Sequence, residues 1–193
     1  MQVFVDADGV LKDFDRHVHA YFGKYPREFL NDDQMWLSIH AEPNFWPTMP
    51  VKDGADRLWA ALTPYKPIVL TGCPKDDYDN AAAHKQISIK KHFGEHVQVI
   101  TCLSRNKPVH MIAPGDILID DFTSNIKRWI KAGGRGIHYR NADQAIEDFL
   151  KLIEEDDKNK LIEDDKKHKS SNTDFYSSMA VIEFKYNKGF IQK

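Results

Sequence analysis

Four groups of polar side chains in this sequence have the types and order that phosphoryl transfer requires. They are, in chain order, the pair Asp6 and Asp8, then Thr71, then Lys107, and last the pair Asp120 and Asp121. Phosphoryl transfer needs a nucleophile, a proton donor, a cation for the phosphate oxygens and donors that hold the phosphate. Each of these roles has a candidate among the four groups.

The first acidic pair supplies the two groups that change covalent or proton partners. A carboxylate can attack phosphorus and form an aspartyl-phosphate, and Asp6 is the candidate nucleophile. Asp8, two residues later, can protonate the leaving oxygen as a general acid and then activate the hydrolytic water as a base. Gly9 permits the sharp turn that the chain makes after the apolar run before Asp6.

The acidic residues also predict a magnesium site. Mg²⁺ prefers hard oxygen ligands and keeps several waters, so a carboxylate oxygen of Asp6, the backbone carbonyl of Asp8, and Asp120 or Asp121 would satisfy it. Without a cation these carboxylates would repel one another and an incoming phosphate. Asp120 directly follows an apolar run and is the better ligand by position, whereas Asp121 is a second ligand or a helix cap.

The remaining candidates would hold the phosphate. The Thr71 hydroxyl and the Gly72 amide can donate hydrogen bonds to phosphate oxygens. Lys107 is a point charge that can neutralise both the nucleophile and the phosphate. Lys75 and Arg105 are the alternatives for that cation, and Lys107 is preferred over both.

The elements that must position these groups follow from hydrophobic patterning. Short apolar runs without alternation predict buried strands at 3–5, 68–70, 97–100, 117–119 and roughly 136–139. Helical periodicity between them predicts helices near 55–62, 77–92, 122–130 and 142–153. Alternating strands and helices predict an α/β sandwich with a central parallel sheet, in which ligands bind at the carboxyl ends of the strands.

Composition divides the chain further. The aromatic- and proline-rich interval 14–50 predicts a small helical cap, inserted into a core made of 1–13 and 51–153. The charged interval 154–178 predicts a solvated linker or helix. Alternation in 179–193 predicts a terminal β-hairpin, whose edge could pair with the sheet or with a second subunit in a homodimer.

Bulk properties narrow the partners and the location. The 193 residues carry a formal net charge of -2, which gives no general attraction to duplex nucleic acid or to an anionic membrane. Cys73 and Cys102 form no CxxC pair, as expected of free thiols in a reducing compartment. No stretch approaches about 18 consecutive apolar residues. We therefore expect a cytoplasmic protein.

The four groups resemble the four motifs of the haloacid dehalogenase superfamily, over roughly residues 2–153. The motifs correspond to Asp6-Ala7-Asp8-Gly9-Val10, to Thr71 after an apolar run, to Lys107, and to Asp120-Asp121 after Ile117-Leu118-Ile119. The resemblance implies a Rossmann-like three-layer core and dependence on Mg²⁺. In that superfamily a second aspartate in the first motif marks phosphatases, and threonine there marks ATPases. Asp8 therefore favours a phosphatase.

A closer likeness is to the 5′(3′)-deoxyribonucleotidases. It rests on 6–14 (DADGVLKDF), on Phe45-Trp46 leading to Pro50 and Gly54-Ala55, on the run 104–107, and on 118–121. By this resemblance Phe14, Phe45 and Trp46 would line a nucleobase pocket, and Ser104 and Arg105 would lie near the phosphate. The Gly72-Cys73-Pro74 run departs from the second motif of that family, which bears on the substrate more than on the reaction.

Other functions remain open at this stage. The chain could dephosphorylate sugar phosphates or nucleic-acid ends, or serve as a non-catalytic binding module. A nuclease-like acidic cluster is a further alternative, and Lys107 and Thr71 fit it less well. The aromatics near Phe45 favour a flat base over a bare sugar, because stacking rewards a π-face. A small cap also leaves room for a modest metabolite only.

Overall fold

A computed structural model describes residues 1–162, which contain a five-stranded, wholly parallel sheet. The strands are β1 (Val3–Val5), β2 (Ile68–Gly72), β3 (Val99–Cys102), β4 (Ile117–Asp120) and β5 (Arg135–His138). Their order across the sheet is β3-β2-β1-β4-β5. Each strand overlaps one of the five predicted runs, so the predicted α/β, Rossmann-like fold with a central parallel sheet is confirmed.

Helices connect and cover the strands. Between β1 and β2 lie α1 (Phe14–Phe22), α2 (Asp32–His40), α3 (Phe45–Thr48) and α4 (Ala55–Leu62), and later come α5 (Tyr78–Phe93) and α6 (Thr123–Lys131). The chain divides into two units, residues 1–148 and 149–193. The first unit contains the sheet and every predicted site residue. It ends in helical turns that begin at residue 142, and residues 149–162 of the second unit are helical.

The three central strands, β2, β1 and β4, are mostly apolar and buried because side chains cover both faces of the sheet. Phe4 pairs in register with Ile68 and with Leu118, so these side chains share one face. Trp129 of α6 packs on that face, with its ring centroid 5.2 Å from that of Phe4. Val5, which points to the opposite face, is also fully buried. Each large side chain buried in this way contributes about 1.5–3 kcal/mol to folding.

The strand order fixes where a ligand can bind. The chain runs outward from β1 to β2 and β3, then returns to β4 and β5 on the other side of β1. The chain leaves β1 toward β2 and leaves β4 toward β5, which lie in opposite directions along the sheet. The position between the neighbouring strands β1 and β4 is therefore a topological switch point. In open α/β sheets the crevice at the carboxyl ends of the strands beside such a point is the usual ligand site. Asp6 and Asp120 lie there.

Residues 14–50, which include the first three helices, contribute most of the buried side chains of one apolar cluster. Their buried members are Val18, Phe29, Met35, Ile39, Phe45, Trp46 and Met49. Helix α1 begins after Asp13, whose carboxylate accepts a hydrogen bond from the Arg16 amide, and ends at Gly23 in the left-handed region. Ala81 and Ala82 of α5 belong to the same cluster, so the insertion packs against the core through α5.

The remaining sequence predictions concern the second unit and the membrane. The charged interval was predicted for 154–178, and its residues 154–162 are helical. The rest of that interval and the predicted hairpin at 179–193 lie outside the described residues. Within residues 1–162, no helix combines the length and the apolar character needed to cross a bilayer.

Candidate active site

Three of the predicted acidic residues meet at the carboxyl ends of β1 and β4. Val5 pairs with Ile119, and the Asp6 amide donates to the Ile119 carbonyl oxygen at 2.9 Å, which brings Asp6 beside Asp120. Carboxylate oxygens of Asp6, Asp120 and Asp121 all lie within 4.8 Å of one another. One hard cation can contact oxygens at this spacing, so the donor set suits Mg²⁺.

Lys107 lies between two of these carboxylates. Its Nζ is 2.8 Å from Asp6 Oδ2 and 2.6 Å from Asp120 Oδ2, and the side chain is fully buried. Burial alone would lower the pKa of Lys107, but the carboxylates of Asp6 and Asp120 outweigh it and raise that pKa. The ammonium group therefore stays charged. The 3-10 helix Ser104–His110, which follows β3, supplies this residue.

Asp120 is held by three donors. Its Oδ1 accepts from the Phe122 amide at 2.8 Å, and its Oδ2 accepts from Lys107 and from Asn125 Nδ2 at 2.9 Å. Asn125 is buried on α6 and was not singled out by sequence reasoning. Its position, five residues after Asp120 and inside the first turns of the next helix, is the only signal that the sequence offers.

Asp121 has a different environment. Its carboxylate lies against Gly9, where φ is +76° and an added Cβ would stand 1.9 Å from Asp121 Oδ2. Desolvation, followed by repulsion from Asp6 and Asp120, raises the pKa of Asp121 to about 8, although the side chain keeps access to solvent. Without a cation to balance the negative charge, Asp121 is therefore protonated below about pH 8, which reduces the repulsion among the three carboxylates.

Asp8 is paired with a lysine that the sequence analysis did not consider. Lys85 Nζ lies 2.5 Å from Asp8 Oδ2 and 2.5 Å from the carbonyl oxygen of Gly72. Desolvation raises the pKa of Asp8, and Lys85 opposes that rise. Asp8 Oδ1 is buried and accepts no hydrogen bond from residues 1–162. One oxygen of this carboxylate is therefore fixed by Lys85, and the other is unsatisfied.

The sequence does contain a signal for Lys85. Ala81, Lys85, Ile89 and Phe93 recur at intervals of four and form the buried face of α5. A lysine on such an apolar face is rarely buried unless it is paired. Lys85 also lies over the ring of Trp46, with Nζ 4.6 Å from the ring centroid.

Thr71 and Gly72 stand at the end of β2, as predicted. Thr71 is fully buried, and its Oγ1 has no hydrogen-bond partner within the described part of the chain. A buried hydroxyl without a partner is costly, so a ligand oxygen here would be favourable. At Gly72 an added Cβ would lie 3.0 Å from Ser104 Cβ, so the glycine allows close approach of the loop after β3.

Neighbouring polar residues are less directly engaged. Ser104 Oγ donates to Asn125 Oδ1 at 2.9 Å and so supports Asp120 through Asn125. Arg105 and Lys75 are exposed, and Lys107 is the one of the three predicted cations that contacts Asp6. Burial raises the pKa of the Cys73 thiol to about 11, so this residue, next to Gly72, remains a protonated thiol.

The three predicted pocket aromatics are mostly covered. Phe45 is fully buried, with its ring 5.9 Å from that of Phe14 and 5.2 Å from that of Trp46. Trp46 is 2 % exposed, donates from Nε1 to Asp77 Oδ2 at 2.9 Å, and borders a cavity of about 10 Å³ beside Lys85. That cavity has room for about one water molecule. Phe14 is half-buried and retains some exposed ring.

Comparison with known proteins finds similar solved structures, at low sequence identity. No protein-family model and no curated protein matches the chain. A HAD-superfamily hydrolase from Ehrlichia chaffeensis is similar with a TM-score of 0.49 and 14% identity, over 79% of this chain and 97% of that one. L-2-haloacid dehalogenase from Xanthobacter autotrophicus has a TM-score of 0.45 and 12% identity, over 70% of this chain and 76% of its own.

A third similar structure is a HAD family hydrolase from Deinococcus radiodurans with bound phosphate and sodium. Its TM-score is 0.43 at 12% identity, over 70% of this chain and 78% of that chain. The three similar structures are all hydrolases of the haloacid dehalogenase type.

Proposed function

We propose that this chain is a Mg²⁺-dependent phosphatase of the haloacid dehalogenase superfamily that hydrolyses nucleoside monophosphates, with deoxyribonucleotides as the preferred class. The observation that supports it most is the arrangement around Asp6. Its Oδ2 contacts the buried ammonium group of Lys107, and one of its oxygens lies within 4.8 Å of carboxylate oxygens of Asp120 and Asp121. This is the environment of an ionised nucleophile next to a cation site.

The donor set suits magnesium. Asp6, Asp120 and Asp121 would hold the ion together with the backbone carbonyl of Asp8, and water would complete the coordination. Asp120 already accepts three hydrogen bonds, whereas the Asp121 carboxylate accepts none from residues 1–162, so Asp121 has the greater free capacity. When bound, Mg²⁺ would offset negative charge on the transferring phosphoryl group.

The side chains supply the covalent and proton steps. In the first step an Asp6 oxygen bonds to phosphorus, the bond from phosphorus to the leaving oxygen breaks, and Asp8 donates a proton to that oxygen. In the second step Asp8 removes a proton from water, the water oxygen bonds to phosphorus, and the acyl-phosphate bond to Asp6 breaks. Inorganic phosphate leaves, and both carboxyl groups return to their starting states.

Asp6 is oriented for attack by contacts on each oxygen. Its Oδ1 accepts from the Ala7 amide at 2.7 Å, and its Oδ2 faces Lys107. Thr71 Oγ1 would donate to a phosphate oxygen, which also resolves its lack of a partner in the protein. Lys85 acts as a positioning residue, because it contacts the Asp8 carboxylate and also the end of β2, the strand that carries Thr71.

The substrate class rests on the insertion above the site. Residues 14–50 are rich in aromatic side chains, and their cluster packs against α5, which carries Lys85. A flat base suits such surroundings better than a bare sugar. The nucleotide is the partner that we propose. A cytoplasmic location and pairing with a second copy through 179–193 remain predictions of the sequence.

Phosphate release tests the proposal. Wild type and Asp6→Asn would be assayed on a panel of ribonucleotides, deoxyribonucleotides and sugar phosphates, with Mg²⁺ and with a chelator. Asp53→Asn, at an exposed acidic position, is the matched control. We expect nucleotide hydrolysis that requires Mg²⁺ and is lost in Asp6→Asn alone. Full activity in Asp6→Asn would refute the mechanism, and hydrolysis of sugar phosphates alone would refute the substrate class.

A further inference from the structure

One face of helix α2 borders a groove whose other wall is the segment that follows β2. That face carries four residues at the helical spacing i, i+3, i+4 and i+7, namely Asp33, Trp36, Leu37 and His40. The opposite face of α2 is buried in the insertion's own cluster through Met35 and Ile39. The groove has a volume of about 420 Å³, which lies in the range of small-molecule sites. We refer to it as the α2 groove.

The second wall of the α2 groove continues from the phosphate-binding strand. It includes Lys75 and Asp76, in the short 3-10 helix that follows β2. Lys75 is four residues after Thr71, so the chain between them spans at most about 14 Å. This wall of the groove therefore lies within about 14 Å of Thr71, which is the distance that a molecule bound at both places must span.

The first wall is also joined to the catalytic loop. The Trp36 ring lies 5.9 Å from the ring of Phe14, centroid to centroid. Phe14 is the first residue of α1, and the loop 6–13 that precedes it carries Asp6 and Asp8. Both walls of the α2 groove thus begin within a few residues of groups that would hold or attack the phosphate.

The lining suits a planar base. Trp36 is half-buried and stacks on His40, with centroids 6.5 Å apart and planes at 28°. Leu37 beside it is 72% exposed, and His40 Nε2 is buried without a hydrogen-bond partner among residues 1–162. A heteroaromatic base offers a π-face for the ring pair and polar edges for Lys75 and the two acidic side chains.

We propose that the α2 groove holds the nucleobase of the substrate, with Trp36 as its stacking platform. The inference rests on the proposed function and names its specificity site. It moves the base away from Phe45 and Trp46, whose rings are 0% and 2% exposed and have no free face. Phe14 keeps a supporting role, because it contacts Trp36 from the side of the catalytic loop.

The test compares two substrates that differ in the leaving group. For wild type and Trp36→Ala, kcat/KM would be measured for deoxynucleoside monophosphates and for glycerol phosphate, which has no ring. Loss of base stacking should lower the ratio of nucleotide to glycerol phosphate activity about tenfold. Trp36→Phe should restore most of that ratio. Leu30→Ala, at an insertion residue that is 85% exposed, is the control and should leave the ratio unchanged.

A second variant covers the case in which Trp36→Ala does not fold. Leu37→Trp adds bulk at an exposed position and fills the groove, so it should lower the same ratio. If wild type hydrolyses nucleotides but the ratio is unchanged in Leu37→Trp and in every folded Trp36 variant, the α2 groove does not hold the base. Equal losses on both substrates would lead to the same conclusion. If wild type hydrolyses glycerol phosphate and no nucleotide, both the proposed substrate class and the proposed base site are wrong.

Discussion

The ammonium group of Lys85 links Asp8 to the backbone of Gly72, with both contacts at 2.5 Å. The two acceptors belong to different elements, Asp8 to the loop after β1 and Gly72 to the end of strand β2, and the lysine comes from α5. A buried ammonium group with two such partners holds the loop after β1 and the end of β2 at a fixed separation. One side chain thereby positions Asp8, the proposed general acid, relative to the strand end that carries Thr71, the proposed phosphate ligand.

Replacing Lys85 should impair turnover more than binding. In Lys85→Met the Asp8 carboxylate loses its oriented contact, and we expect kcat to fall about 10- to 100-fold because general acid–base catalysis is weakened. Lys85→Arg should retain more activity, since it still donates to both acceptors. Steady-state phosphate release gives kcat and KM separately. Lys91→Met, at an exposed position on the same helix, is the control. Equal kcat in Lys85→Met and wild type would contradict this role.

Lys107→Met should destabilise the metal-free protein. The substitution removes the only ammonium group that contacts both Asp6 and Asp120 within the described chain, and it leaves those buried carboxylates uncompensated. Loss of one partner from such a buried cluster costs about 3–5 kcal/mol. Urea unfolding in the presence of a chelator measures the change, and turnover should also be lost. A loss of unfolding free energy below about 1 kcal/mol would be inconsistent with the buried pairing.

Gly9→Ala should weaken activation by magnesium. Both Gly9 and Gly23 have positive φ, +76° and +67°, so alanine at either position costs about 1–2 kcal/mol in backbone strain. Only at Gly9 would the new Cβ also meet the Asp121 carboxylate, whereas at Gly23 nothing lies within 4 Å. We expect the Mg²⁺ concentration for half-maximal activity to rise at least about tenfold in Gly9→Ala alone. Matching shifts in the two variants would attribute the effect to backbone strain.

Magnesium binding should release protons. In the metal-free protein the pKa of Asp121 is about 8, so this carboxyl is mostly protonated at pH 7 and must lose its proton to bind the ion. Apparent Mg²⁺ affinity should therefore increase as the pH rises toward 8 and level off above it. Calorimetric titration in two buffers of different ionisation enthalpy counts the released protons. Asp121→Asn should abolish the dependence on buffer.

The same raised pKa predicts how stability depends on pH. Between the ordinary carboxyl pKa and about 8, the folded protein binds more protons at Asp121 than the unfolded chain does. The metal-free protein should therefore lose stability as the pH rises through this window. Thermal unfolding at pH 6 and pH 8, with and without Mg²⁺, measures it, and the ion should stabilise more at pH 8. A metal-free midpoint that rises with pH across this window would contradict the repulsion at the site.

The fold was predictable because its strands are buried on both faces. A run such as Ile117-Leu118-Ile119 has no solvent face to carry polar residues, so the apolar stretch itself marks the strand. The boundaries were less accurate. The third strand was predicted at 97–100 and is observed as Val99–Cys102. Val97 is buried too, in the turn that closes on Gly94, so burial alone did not distinguish turn from strand.

The site was predictable where it depends on strand ends, and less so where it depends on packing. Asp6 and Lys107 are brought into contact as the motif order suggested. The spacing of apolar residues in α5 indicates that Lys85 is buried, but its partners depend on how α5 packs against the loop after β1 and the end of β2, which the spacing does not show. Likewise, an aromatic-rich segment does not reveal which rings are exposed: Phe45 is fully buried, whereas Trp36 is only half-buried.

The pairing of β1 with β4 has a consequence for the order of folding. The Gln2 amide donates to Asp116 Oδ1 across a sequence separation of 114 residues. The residue pairs of β1 and β4, such as Val3 and Ile117, are separated by the same distance in sequence. Such non-local contacts form slowly, since a long loop must close first. During synthesis one edge of β1 stays unpaired until β4 emerges. A nascent chain that stops before residue 117 would carry Asp6 without Asp120 or Asp121, and would expose a strand edge prone to association.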